Sequence, residues 1–293
     1  MSSAARALPM PAARLRARWP QFLRRAVGFV LVVAGAVVML IPFAWLVSTS
    51  LKPDDQLFAY PPVWIPRYLN WANYTGAWSY APFGTYLLNT LEITAFTLVG
   101  TLASSSLVAY GFARRQFPGR DLLFGLLLST LMLPAIVTLI PLFLIFKTLG
   151  WINTFLPLIV PSYFASPFYV FLLRQFFLSL PPELEDAAMI DGASTLQVIT
   201  RIVLPLAKPA LASVTIFSVT FHWNDFLGPL IYLNDDEKRT LALGLYAFLG
   251  EHTAQWGYLM AGSTLMVLPM AGLFFVGQKY FIQGIVTSGF GGR

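Results

Sequence analysis

The chain has 293 residues, 57% of them hydrophobic and only 11% charged. Soluble domains carry about 25% charged residues, so lipid is the solvent this composition fits. The absence of cysteine excludes a disulfide framework, a thiolate metal site and a cysteine nucleophile, and the net charge of +6 sits on arginines crowded into the N-terminal tail and short connections, a pattern of membrane topology rather than nucleic-acid binding.

In chain order, six apolar stretches each approach the roughly 20 residues that cross a bilayer as a helix. They run over Ala26–Thr49, Tyr86–Ala113, Leu122–Phe146, Phe155–Phe177, Ala207–Leu233 and Tyr258–Phe281. The first follows Arg24 and Arg25 but is too long for a signal-peptide core and lacks a small-residue cleavage site, so it is expected to remain as a helix. The segment before it holds Arg6, Arg14, Arg16, Arg18, Arg24 and Arg25, and the connection after the second stretch holds Arg114, Arg115 and Arg120. The positive-inside rule therefore places both termini in the cytoplasm, with residues 51–85 and 234–257 outside. Trp64, Trp71, Trp78, Tyr60, Tyr68 and Tyr74 in the first outer segment suit an interfacial aromatic belt. The third and fourth stretches contain Pro134, Pro141, Pro157, Pro161 and Pro167. Proline removes a donor and kinks a helix, which suits either a path with moving walls or ordinary bundle packing. The two histidines, His222 and His252, are too far apart in sequence for a metal cluster. No metal site and no catalytic constellation is expected.

Between the fourth and fifth stretches lies a polar segment, residues 179–206. It predicts a helix, a turn and a second helix. Pro182 suits a first helical turn, and Glu183, Glu185 and Asp186 follow near the positive end of the helix dipole. Gly192 suits a left-handed C-terminal cap. Ser194 with Gln197 three residues on is a capping box. Ile199, Ile202, Val203 and Leu206 recur at helical spacing, and Pro205 marks an end or a bend. The small Ala187 and Ala188 allow another surface to approach closely. By physical reasoning alone, a docking element and an amphipathic pair resting on the membrane fit equally well.

The segment resembles the signature of bacterial binding-protein-dependent ABC importer permeases: E-A-A, three residues, G, nine residues, I-x-L-P. Asp186, Ala187 and Ala188 occupy the E-A-A positions, Gly192 follows at the right gap, and Ile202, Leu204 and Pro205 complete it. Asp186 stands where the family has Glu; Glu185 is adjacent but out of register. Ser50-Leu51-Lys52, Ala109 to Arg114, Trp223 to Phe226, and Gln278 to Gly284 are similar to the carbohydrate, maltose-type branch. The resemblance implies an all-α membrane protein of type I importer architecture, with six transmembrane helices and a cytoplasmic coupling helix seated on an ATPase subunit. It implies ATPase-coupling roles for Glu185, Asp186, Ala187, Ala188, Asp191, Gly192, Ile202, Leu204 and Pro205. It further implies a second permease, an ATPase dimer that binds ATP and Mg, an extracellular or periplasmic solute-binding protein, and a carbohydrate cargo. The location it implies is the bacterial inner membrane. One module is expected, a basic tail over 1–25 and a membrane domain over 26–293.

Charged and polar groups within a span usually face a bundle interior or a water-filled path. Asn89, Glu92, Trp223, Asn224 and Asp225 are the candidates for a solute path, with an interhelical hydrogen-bond network as the competing reading. The sequence holds no G-x-x-x-x-G-K-[ST] loop, so its own ATP site is not expected and the chain binds no cofactor of its own on this reading. The alternative function is an ion-coupled secondary transporter. It lacks midplane acids here, since Glu92 and Asp225 fall towards the outer ends, and it leaves the polar loop without a purpose.

Overall fold

The computed structural model describes residues 18–250 and 254–289, with side chains from 23 to 250 and 254 to 278. The basic tail before Arg18, His252 and the side chains of Lys279 to Gly284 therefore lie outside the described residues. The described part is helical and contains no strand. The longer helices are α1 (Arg18–Ser50), α2 (Ala72–Tyr80), α3 (Phe83–Arg114), α4 (Arg120–Ser129), α5 (Ala135–Thr148), α6 (Pro167–Ser179), α7 (Glu183–Ile190), α8 (Thr195–Leu206), α9 (Lys208–Trp223), α10 (Leu227–Tyr232) and α11 (Trp256–Gly289).

Four spans are long and apolar enough to cross a membrane, and the count reaches six when each of two bent helix pairs is one span. The first pair is the predicted third span, and the second joins the end of the polar segment to the predicted fifth span. Arg120–Met132 meets Ala135–Thr148 at 99°, and Thr195–Leu206 meets Lys208–Trp223 at 80°. The first break sits at Leu133 and Pro134, both extended, where proline ends the hydrogen-bond ladder. The second sits at Ala207, so what reads as the approach to the fifth span leaves α8 at a steep angle before α9 begins. The fourth span is interrupted without such a bend. A turn at Leu156–Ile159 tightens to a 3-10 segment at Val160–Phe164, and Ala165, at φ +58°, leads into α6. Ser104 on α3 stabilises that irregular backbone, donating to the carbonyls of Gly100 and Ser162 at 2.7 and 3.0 Å and accepting from the Ala165 N–H at 3.2 Å. Irregular backbone at membrane depth persists where such protein partners satisfy it.

α3 is the central strut, packed against α6, α9 and the 3-10 segment. Two buried clusters form at its ends. The inner one joins Tyr110, Leu173, Phe177, Val198, Val203 and Val214 from α3, α6, α8 and α9. The outer one joins Ala77, Phe83, Tyr86, Trp223, Phe248 and Ala261. α1 packs along α11 and leaves its apolar window uncovered within the chain. At its C-terminal end the Asn73 amide donates to the carbonyls of Ser50 and Lys52 at 2.9 and 2.8 Å, satisfying acceptors that a helix end leaves free.

Candidate functional site

The polar segment folds as the helix–turn–helix its sequence predicts. α7 opens at Glu183 after Pro182, whose φ of −65° is already helical. Its C-terminus closes on Gly192 at φ +84°, with the Gly192 N–H bonded to the Met189 carbonyl at 3.0 Å and the Ala193 N–H to Ala188 at 2.9 Å. The capping box forms. The Ser194 N–H donates to the Gln197 side chain at 2.8 Å, and the Gln197 N–H donates to Ser194 Oγ at 3.4 Å.

α8 departs from the expected face. Ile199–Val203 is a π turn, and Pro205, which has no N–H to return to the preceding turn, follows two residues after its end. The wider turn shifts the buried stripe to Val198, Ile199, Val203 and Ala207. Ile202 is only half-buried and Leu206 faces out, so the predicted apolar face is rotated by the extra residue in the turn. Leu204 packs on the inner cluster, and Pro205 is exposed.

Asp186, Ala187, Asp191 and Gly192 are exposed, and Ala188 is half-buried. Beside the turn lies an open cavity of about 260 Å³, lined by Asp191, Gly192, Ala193, Gln197, Arg201 and Ile202. Glu185 behaves differently from its acidic neighbours. It is only 6% exposed and points back into the protein. Tyr110 on α3 donates its hydroxyl to Glu185 Oε2 at 2.8 Å. Arg114, one helical turn on, brings Nε to 2.8 Å from Oε1; the N–H does not point along this contact, so the attraction is ionic rather than a well-directed hydrogen bond. Arg114 Nη2 also donates to the Leu180 carbonyl at 2.6 Å, and Arg115 Nη2 donates to Thr195 Oγ1 at the start of α8. Three residues at the end of α3 thus hold both helices of the segment. Sequence reasoning assigned Arg115 to topology alone, and Arg114 to topology and to the Ala109 to Arg114 resemblance, without a structural task for either. The legible signal was the four-residue spacing of Tyr110 and Arg114, which puts them on one helix face.

The solute-path candidates make separate contacts. The Asn89 amide donates to the carbonyls of Glu237 and Arg239 at 2.8 and 2.9 Å, fixing the connection after α10. Trp223 is buried and its indole N–H donates to the Met266 carbonyl on α11 at 3.1 Å. Asp225 accepts from the Gly228 N–H at 3.1 Å and so caps α10. Glu92 and Asn224 are exposed, the Asn224 amide returning to the Thr220 carbonyl at 2.8 Å. Asn153, at φ +62°, ties two connections together. Its amide donates to Asp235 Oδ2 at 2.8 Å, and its carbonyl accepts from Lys238 Nζ at 2.9 Å. The Lys238 ammonium and this Asn153 bond hold the Asp235 carboxyl below the usual carboxylate range.

Residues 100–287 match the family described as the binding-protein-dependent transport system inner membrane component. The chain is 36% identical to the probable ABC transporter permease protein YurM of Bacillus subtilis, over 84% of this chain and 82% of that one. It is 35% identical to the melibiose/raffinose/stachyose import permease protein MelC of Bacillus subtilis, over 84% and 89% of the two chains. It is 32% identical to the trehalose/maltose transport system permease protein MalG of Thermococcus litoralis, over 93% and 99%. Among solved structures, a chain of a bacterial ABC transporter involved in import of the acidic polysaccharide alginate shares the fold, with a TM-score of 0.79 at 24% identity over 94% of this chain and 100% of that one. With six spans, a capped helix–turn–helix and matches of this extent, the chain belongs to the family of binding-protein-dependent transport system inner membrane components, as a multi-pass ABC importer permease.

Proposed function

We propose that this permease imports a carbohydrate, and that α7, the Gly192 turn and α8 form the element through which partner ATPase subunits drive it. The observation that carries the reading is the capped helix–turn–helix. It presents Asp186, Ala187, Asp191 and Gly192 outward beside an open cavity while its opposite side is fixed to α3. An amphipathic pair resting on lipid would present apolar side chains; here the outward face also carries acids and a polar concavity, which suits a protein surface. The carbohydrate cargo rests on the names of relatives that import melibiose, raffinose and stachyose, or trehalose and maltose. Glu92 and Asn224, exposed and not spent on holding other segments of the chain, are the groups proposed to face the path.

The complex proposed is this chain, a second permease, an ATPase dimer that binds ATP and Mg, and a solute-binding protein on the outer loops. Both termini lie in the cytoplasm of a bacterial inner membrane. The sequence has no P-loop, so hydrolysis belongs to the partners. The chain also lacks native cysteine, so single cysteines at Ala187 and Asp191 are specific probes. Each is expected to cross-link to a co-purified ATPase subunit in native membranes. Cross-linking to lipid-facing reagents alone, with no ATPase in the purified complex, contradicts the proposal.

A further inference from the structure

The loop at 179–206 is joined covalently to the membrane domain at both ends, by residues 180–182 to α6 and through α8 to α9. The first is a short extended link, and the second passes a π turn and then an 80° bend at Ala207. Links with such joints transmit bending poorly. A further route is lateral. Glu185 on α7 is buried against Tyr110 and Arg114 on α3; Arg114 also holds the Leu180 carbonyl, and Arg115 holds Thr195. α3 is an unbroken helix of 32 residues.

Its other end is gripped too. Asn89 bonds the carbonyls of Glu237 and Arg239, and Thr90 Oγ1 accepts from the Leu241 N–H at 2.8 Å. At 1.5 Å per residue the two grips lie about 30 to 38 Å apart, enough to span the roughly 30 Å hydrocarbon core of a bilayer. We propose that Arg114, Glu185 and Tyr110 form a latch that makes α7 and the inner end of α3 move as one body, so that α3 carries displacement of the loop to the outer segment at 237–241. This rests on the reading above that the loop receives force from an ATPase. These are positioning residues, since none touches cargo or nucleotide.

A buried carboxylate is suited to such a task because separating it from its partners is costly. Removing one partner of a buried pair leaves an uncompensated charge. The latch is therefore either closed or fully broken, with little between.

The test uses spin labels at Leu107→Cys on α3 and Leu184→Cys on α7, both exposed positions in a chain with no other cysteine. The labelled chain is assembled with its partner permease and ATPase subunits in liposomes, and the interspin distance is measured with and without Mg·ATP. The latch predicts a single distance that Mg·ATP leaves unchanged. It predicts that Glu185→Gln keeps this distance without nucleotide and shifts or broadens it with Mg·ATP. A wild-type distance that moves with nucleotide, or a Glu185→Gln complex indistinguishable from wild type, overturns the latch. Should Glu185→Gln fail to assemble, Tyr110→Phe, which deletes one hydroxyl, decides on the same readout. A complex that assembles but never hydrolyses ATP contradicts the importer reading itself, and the latch with it.

Discussion

At the residue scale, Gly192 illustrates a requirement of backbone conformation alone. Gly192 adopts φ +84°, and a Cβ there would meet no atom within 4 Å. Its need is purely conformational: an L side chain in this region costs about 1–2 kcal/mol. Gly192→Ala is therefore expected to loosen the turn without disturbing packing, seen as faster proteolysis at 190–194 while the amount of folded chain holds. The turn and its capping box were legible because their signals are local: Ser194 and Gln197 lie three residues apart and bond each other. The place of Glu185 was not legible. Its partner Tyr110 lies 75 residues away, and nothing in the run Glu183 to Asp186 separates the acid that turns inward from those that stay exposed. The same reason hid the tasks of Asn89 and Trp223, whose backbone partners lie far along the chain; Asp225 instead bonds the Gly228 N–H three residues on.

At the scale of elements, hydropathy located all six spans because length and apolarity are what a bilayer selects. It did not locate the breaks, because hydropathy carries no direction. Proline content does not settle the matter either. Pro134 coincides with a 99° bend, yet Pro42 and Pro269 lie inside continuous helices. Where the fourth span does become irregular, a neighbour satisfies its backbone, as Ser104 does at Ala165. The close approach of α3 to the 3-10 segment depends on Gly100. A Cβ there would fall 2.5 Å from Ser162 Oγ and 2.6 Å from the Tyr163 ring. Gly100→Val is expected to force these elements apart and to destabilise the chain by about 1–3 kcal/mol, as overpacking does. The check is a lower thermal midpoint of the purified complex, with the Gly192 turn still intact to proteolysis.

At the scale of the whole molecule, the described helices leave much apolar surface uncovered. Val32, Met39 and Ile140 are more than half exposed in the single chain. Lipid and a second permease are the surfaces this composition fits. The proposed topology gives a direct expectation: single cysteines in residues 51–85 and 234–250 react with a membrane-impermeant maleimide added outside, and those at 115–119 and 183–197 react only after permeabilisation. The reverse pattern would invert the molecule and place the α7–α8 segment away from any cytoplasmic ATPase.

The central claim is that this segment couples ATP hydrolysis by partner subunits to the permease. The most direct measurement is ATPase activity of the reconstituted complex, with and without its solute-binding protein, for the native chain and for Gly192→Pro. Proline fixes φ near −65° and is incompatible with the +84° that the turn requires. The account predicts that the variant complex assembles and that stimulation by the binding protein is lost. Stimulation that survives unchanged in an assembled Gly192→Pro complex would contradict it.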